Sequence, residues 1–304
     1  MSFASDAKNE FCKLDSALCC QKAECYGTLL FGRNFTQKGI SFYTEHEPSV
    51  RRVAQSTKRI AGVCVNITSS CPGKRRERTV YTMSVQGTEN ILRVLDCFGH
   101  TGNEVSLKIN LANLENECCR SAFLRGVFLA CGSVTDPRKD YHLEYVVPFR
   151  NLASDLAGFL FDVEELSLQP NILNRKGSYV VYVKGSERIA DLLTFMGAPM
   201  AAMQLMQVKM LKEVRNNVNR KTNFEAANID KTATAAAQQV LVIQKIMKGP
   251  MFDELPEELR ELAVLRLHNP DMSLRELGEN LSRPLSRSGV DHRLRRLLKL
   301  GEKV

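Results

Sequence analysis

No run of this sequence approaches the roughly 18 apolar residues that a membrane-spanning helix needs, and its opening residues, Met1-Ser-Phe-Ala-Ser-Asp-Ala-Lys8, carry no apolar signal region. Membrane integration and secretion are therefore not expected, and a cytoplasmic chain is. Cysteine is missing from the last half: all ten lie at or before Cys131. In a chain of this size and character a disulfide framework is not expected, and reduced, mostly buried thiols are. The adjacent pairs Cys19-Cys20 and Cys118-Cys119 lack the loop-spaced pattern of zinc knuckles, and no matching histidine pair accompanies them. They are read as helix core filler, with no metal and no cofactor assigned.

A repeat is present instead. Cys19-Cys20-Gln-Lys-Ala23-Glu-Cys25-Tyr-Gly27 returns as Cys118-Cys119-Arg-Ser-Ala122-Phe-Leu124-Arg-Gly126, with the cysteine, alanine and glycine positions at one constant offset. Gly87-Thr88-Glu89-Asn90-Ile91 through Gly99 is echoed at nearly the same offset by Gly185-Ser186-Glu187-Arg188-Ile189 through Gly197. Two copies of one small unit, about 16–99 and 115–197, imply a pseudo-dimer within a single chain. At 304 residues with 44% hydrophobic composition the chain can bury cores in two to three domains, and its formal charge of +8 favours an anionic partner.

The periodicity predicts a lead helix over 5–14 and the first repeated helix over 16–31. Alternation over 34–45 and 132–147 predicts twin hairpins, each followed by a helix, 50–61 and 152–161. Second strand pairs are expected at 64–69 with 78–85 and at 166–170 with 178–183, so each unit reads α-β-β-α-β-β-α. Residues 198–250, rich in Met, Gln, Ala and Lys, read as a helical connector after the domain at 1–197.

The final block, 251–304, opens at Leu255-Pro256-Glu257-Glu258, with proline fitting the first turn of a helix to about residue 268. Asn269-Pro270-Asp271 breaks it. Ser273 and Glu276 then form a capping box for a helix carrying Leu274, Leu277 and Leu281. A third helix begins at 286 or 288 and runs to 300, with Val290, Leu294, Leu297 and Leu298 on its apolar stripe. This is a helix-turn-helix outline, in which the last helix enters the DNA major groove. Ser286, Arg287, Ser288 and His292 fall where base edges are read, Arg293 lies beside them, and Arg295, Arg296 and Lys299 suit phosphates. The alternative is a solvated basic face that binds protein.

The duplicated unit with its glycine-centred helix resembles the LAGLIDADG homing endonucleases, and the whole chain resembles the WhiA family of bacterial sporulation regulators. The second match rests on Ala122-Phe-Leu-Arg-Gly-Val-Phe-Leu-Ala-Cys-Gly-Ser-Val134 with Tyr141-His-Leu-Glu144, on Val214-Arg-Asn-Asn-Val-Asn-Arg220 and Glu225-Ala-Ala-Asn228, and on Ser273-Leu-Arg-Glu-Leu-Gly278 through Ser288-Gly-Val-Asp-His-Arg-Leu-Arg295. It implies an α+β fold: a duplicated LAGLIDADG-like pseudo-dimer followed by an all-α helix-turn-helix domain. In the nucleases each signature helix ends in an acid that holds a divalent metal. Those positions fall here on Gly32 and Cys131, neither a hard oxygen ligand for Mg²⁺, so nuclease chemistry should be absent. Asp136 and Asp140, close by, read as turn residues. The strands that track DNA in the nucleases make Lys74, Arg75, Arg76 and Arg78 secondary phosphate candidates, with Arg175-Lys176 at the equivalent turn.

The function expected is a non-enzymatic, sequence-specific transcription regulator of double-stranded DNA, nucleoid-associated. The resemblance implies roles in cell division, chromosome segregation and, in spore formers, sporulation, with a WhiB-like protein or RNA polymerase as partner. The alternatives are an active homing endonuclease and a basic protein-interaction scaffold.

Overall fold

A serine side chain opens the fold: Ser2 Oγ accepts the Ser5 amide at 3.2 Å and caps α1 (Phe3–Lys13), which buries Phe3, Ala7 and Phe11. The first copy follows as α2 (Leu18–Leu30), β1 (Asn34–Thr36), β2 (Gly39–Thr44), α3 (Glu47–Ala61), β3 (Val65–Ser70), β4 (Val80–Val85) and α4 (Thr88–Cys97). The second follows as α5 (Glu117–Cys131), β5 (Gly132–Val134), β6 (His142–Val147), α6 (Arg150–Phe161), β7 (Asn171–Arg175), β8 (Ser178–Lys184) and α7 (Ser186–Met196). Both copies thus have the order α-β-β-α-β-β-α. The computed structural model describes residues 2–71 and 79–301.

Each copy has a four-stranded antiparallel sheet, β1-β2-β4-β3 in the first and β5-β6-β8-β7 in the second. Alternation puts one side chain in two on the core face. Phe42 pairs with Met83 across β2 and β4, and Leu143 with Val183 and Tyr145 with Val181 across β6 and β8, all of them buried.

The signature helices α2 and α5 meet backbone to backbone. A Cβ at Gly27 would lie 2.6 Å from the Phe123 carbonyl oxygen, and one at Gly126 would lie 2.1 Å from that of Glu24. Only glycine permits this approach. Thr28 Oγ1 donates to the carbonyl oxygens of both Glu24, at 2.9 Å, and Gly126, at 3.1 Å. The buried Glu24 carboxylate receives Arg125 Nε on Oε2 at 2.7 Å and is also held by Arg52 from α3, while Arg125 Nη1 donates to the Met196 carbonyl at 2.9 Å. A charge buried this deeply persists because it is paired and hydrogen-bonded.

The structure corrects three expectations. The strand expected at 166–170 lies at Asn171–Arg175. Ser167 takes a left-handed φ of 44°, which breaks an extended run, and the buried Leu166 and Leu168 anchor an irregular segment. The helices expected to begin at 50 and 152 begin at Glu47 and Arg150. The thiols are not mostly buried: only Cys25 and Cys119 are fully so, and Cys64, Cys71 and Cys118 are exposed.

The chain divides into two compact units, Met1–Lys212 and Glu213–Val304. The division falls within α8 (Pro199–Met247), one continuous helix through the stretch expected as a connector. The second unit packs α9 (Glu257–His268), α10 (Leu274–Glu279) and α11 (Arg287–Gly301) against the end of α8. Its core joins Ile243 and Ile246 to Leu259, Leu262, Leu277, Leu281, Val290, Leu294 and Leu297.

Candidate nucleic-acid interface

Local chemistry fixes the helix-turn-helix unit. Ser273 Oγ accepts the Glu276 amide at 3.3 Å and Glu276 Oε2 accepts the Ser273 amide at 2.8 Å, a complete capping box at the start of α10. The Ser273 amide and hydroxyl hold the Glu276 carboxyl below its ordinary range. The turn after α9 is held by Arg266, buried at 2% exposure, which donates from Nη1 to the carbonyls of Met272 at 2.6 Å and Pro270 at 3.3 Å and from Nε to Gln239 Oε1 at 2.9 Å. Burial lowers its pKa.

The turn into α11 needs glycine, since a Cβ at Gly278 would stand 2.3 Å from the Leu285 carbonyl oxygen, and the Leu285 amide donates to Gly278 O at 3.0 Å. Ser282 donates from both its hydroxyl and its amide to Glu261 Oε1, each at 2.6 Å, which ties this turn back to α9 and lowers the Glu261 pKa. At the start of α11 the Ser286 hydroxyl accepts the Gly289 amide at 3.3 Å and lies 3.0 Å from the Ser288 hydroxyl.

These contacts aim α11. Val290, Leu294, Leu297 and Gly301 are buried, so the opposite face turns to solvent. There Ser286, Arg287, Ser288, His292, Arg295, Arg296 and Lys299 are exposed. Arg293 is set apart from them: at 21% side-chain exposure, its Nη2 donates to Glu258 Oε2 on α9 at 2.6 Å. Arg295 pairs with Asp291 one turn back at 2.8 Å, an exposed i,i+4 contact that an incoming phosphate can displace. Arg287, Arg296 and Lys299 have no ionic partner among the described residues. The contacts made by Arg266, Gly278, Glu261 and Glu258 escaped the sequence reading. An arginine between leucines on an amphipathic helix looks like any solvated charge, and only the fold shows what it touches.

Of the secondary phosphate candidates, Lys74, Arg75, Arg76 and Arg78 lie outside the described residues. Arg175, at the equivalent turn of the second copy, is gripped by Glu144, Nη1 to Oε2 at 3.1 Å and Nη2 to Oε1 at 2.9 Å.

At the C-terminal ends of the signature helices, Gly32 has no side chain to offer. A Cβ there would sit 3.0 Å from the Ser41 carbonyl oxygen. Cys131 donates from Sγ to the Val127 carbonyl at 3.4 Å, and burial pushes its thiol up to about 12. Lys8 from α1 donates to the neighbouring Leu129 carbonyl at 3.4 Å and lies 5.7 Å above the Phe128 ring. A missing side chain, a protonated thiol and a buried lysine whose pKa is lowered by burial offer none of the carboxylate oxygens that a hard divalent cation takes.

Comparison with known proteins agrees with this architecture. Residues 120–215 match the WhiA LAGLIDADG-like domain, and residues 218–301 match the WhiA C-terminal HTH domain. A "Probable cell division protein WhiA" from Ruminiclostridium cellulolyticum is 37% identical, with 100% of this chain and 98% of the relative covered. The chain belongs to the WhiA family. A WhiA of the same description from Clostridium tetani is 36% identical over 100% of this chain and 98% of its own length. The crystal structure of full-length WhiA from Thermatoga maritima shares the fold, with a TM-score of 0.61 at 24% identity and coverage of 100% of this chain and 99% of that one. The α+β pseudo-dimer followed by a helical helix-turn-helix region is thus the architecture of WhiA. Among the described residues no helix is long and apolar enough to cross a membrane.

Proposed function

We propose that this chain is a non-enzymatic, sequence-specific transcription regulator that binds double-stranded DNA through α11. The observation that carries the reading is the face of that helix: exposed Arg287, Arg296 and Lys299 with no ionic partner among the described residues, on a helix whose other face is locked into a core by capped and pinned turns. The positions of Arg287, Ser288 and His292 in the first turns suit base edges, and those of Arg296 and Lys299 suit phosphates.

The biological process follows the relatives, which carry the name of a probable cell division protein. Chromosome segregation and sporulation extend that reading on resemblance alone, as do a WhiB-like protein or RNA polymerase as partner and association with the nucleoid. The non-enzymatic part rests on Gly32 and Cys131, which offer no carboxylate for a catalytic metal.

Salt titration of duplex binding tests the division of labour on α11. Arg296→Ala and Lys299→Ala should each flatten the slope of log affinity against log salt by about 0.9. Arg287→Ala should relax base discrimination by about 1–3 kcal/mol at one position. An unchanged slope in the two phosphate variants would move the DNA surface off this helix.

A further inference from the structure

Two adjacent cysteines open each signature helix, and the duplication brings the pairs together. Cys19 and Cys20 occupy the first turn of α2, Cys118 and Cys119 the first turn of α5, and all four Sγ atoms lie within 4.8 Å of one another. Cys19 Sγ and Cys20 Sγ are 4.0 Å apart, and Cys20 Sγ donates to the Cys118 carbonyl at 3.5 Å. This cluster belongs to neither α11 nor the helix ends at Gly32 and Cys131; it stands at the opposite, N-terminal ends of α2 and α5.

We propose that Cys19, Cys20, Cys118 and Cys119 form a mononuclear tetrathiolate site for a soft divalent metal, Zn²⁺, that staples the two repeats at their pseudo-twofold axis. The spacing argues for one ion. A tetrahedron with Zn–S bonds of about 2.3 Å has sulfur–sulfur edges of about 3.8 Å, so the cluster needs only a small inward movement to close. A polynuclear iron–sulfur cluster places several irons and sulfides between the thiolates and demands a wider opening. Thiolate ligands exclude Mg²⁺ and Ca²⁺ and select zinc-like ions.

The setting favours the charge such a site carries. Two helix N-termini converge on it, each contributing partial positive charge. Neither helix caps its first turn with a side chain, as Ala17 and Asn116 make no such hydrogen bond, although the Cys119 amide donates to the Asn116 carbonyl at 2.9 Å. Metal binding ionises the thiols: each S–H bond exchanges its proton for a bond to the metal, and up to four protons pass to the buffer.

Adjacent cysteines on one helix give no zinc signature in a linear sequence. The ligand set exists only because duplication and the glycine-mediated approach of α2 and α5 supply the second pair.

The test uses the full chain purified without oxygen, with zinc and iron measured per chain, and the metal-free chain titrated with Zn²⁺ against a chromophoric chelator and with Co²⁺. One zinc per chain and the intense visible absorption of tetrahedral cobalt thiolate are expected. Cys20→Ser and Cys118→Ser should each weaken Zn²⁺ binding by more than about 100-fold, beyond what is lost with a group that only orients a ligand. Cys64→Ser and Cys71→Ser, at exposed thiols outside the cluster, should leave it unchanged. One iron per chain with the same cysteine dependence would support the site and change only its metal. Iron with acid-labile sulfide, no metal uptake, or uptake indifferent to Cys20 and Cys118 would overturn it. The stoichiometry and cobalt spectrum of the unaltered chain decide the matter even where a variant folds poorly.

Discussion

Arg293 donates to Glu258 Oε2 at 2.6 Å, whereas Arg296, three residues further along α11, has no ionic partner among the described residues. Alanine at the two positions should therefore act differently. Arg293→Ala should lower stability by about 0.2–1 kcal/mol, the range of a partly exposed pair, read by denaturant unfolding. Its loss of DNA affinity should be smaller than that of Arg296→Ala, which should leave stability within about 0.5 kcal/mol. Equal losses of affinity would place Arg293 in the interface after all. Both arginines look alike in the sequence, on one basic helix at positions suited to DNA. What separates them is Glu258, thirty-five residues away in the chain and invisible to any local pattern. Gly32 and Cys131 were named on a different ground: the resemblance to the nucleases says that each signature helix ends at an acid, and the alignment of the two copies carries that position to both without any coordinates.

At the scale of elements, α10 is too short to hold itself and relies on two carboxylates. Glu276 closes its capping box and Glu261 takes the two Ser282 donors from α9. Hydrogen bonds hold both carboxyls below the ordinary value of 4.5. A lowered folded-state pKa means that the stabilisation is present above about 4.5 and is lost as pH falls through the lower folded values. Amide-exchange protection of residues 274–301 in the full chain should accordingly weaken below that pH. Glu261→Gln with Glu276→Gln should flatten the dependence; an unaltered profile would show that the turns are held by other contacts. The capping box was readable because its signature is local, a serine and a glutamate three residues apart before an apolar run. The strand at Asn171–Arg175 was not. Its five residues are all exposed, so burial left no alternation to detect, and the buried Leu166 and Leu168 drew the assignment upstream.

For the whole molecule, duplication explains most of what was legible. It fixed the order of elements in both copies and the equivalence of Gly27 and Gly126, the positions at which the structure brings α2 and α5 backbone to backbone. It left unseen the Glu24 cluster with Arg52 and Arg125 and the meeting of the four cysteines, since both arise from contacts between elements far apart in sequence. On the function proposed above, the LAGLIDADG-like first unit cuts no DNA and α11 of the second reads it. The most direct test is duplex binding in the presence of Mg²⁺ by the full chain and by an Arg287→Ala/Arg296→Ala/Lys299→Ala variant, with cleavage scored in the same reaction. Sequence-dependent binding that leaves the DNA intact and is lost in the variant is the predicted result; cut DNA, or binding that the variant retains in full, would contradict it.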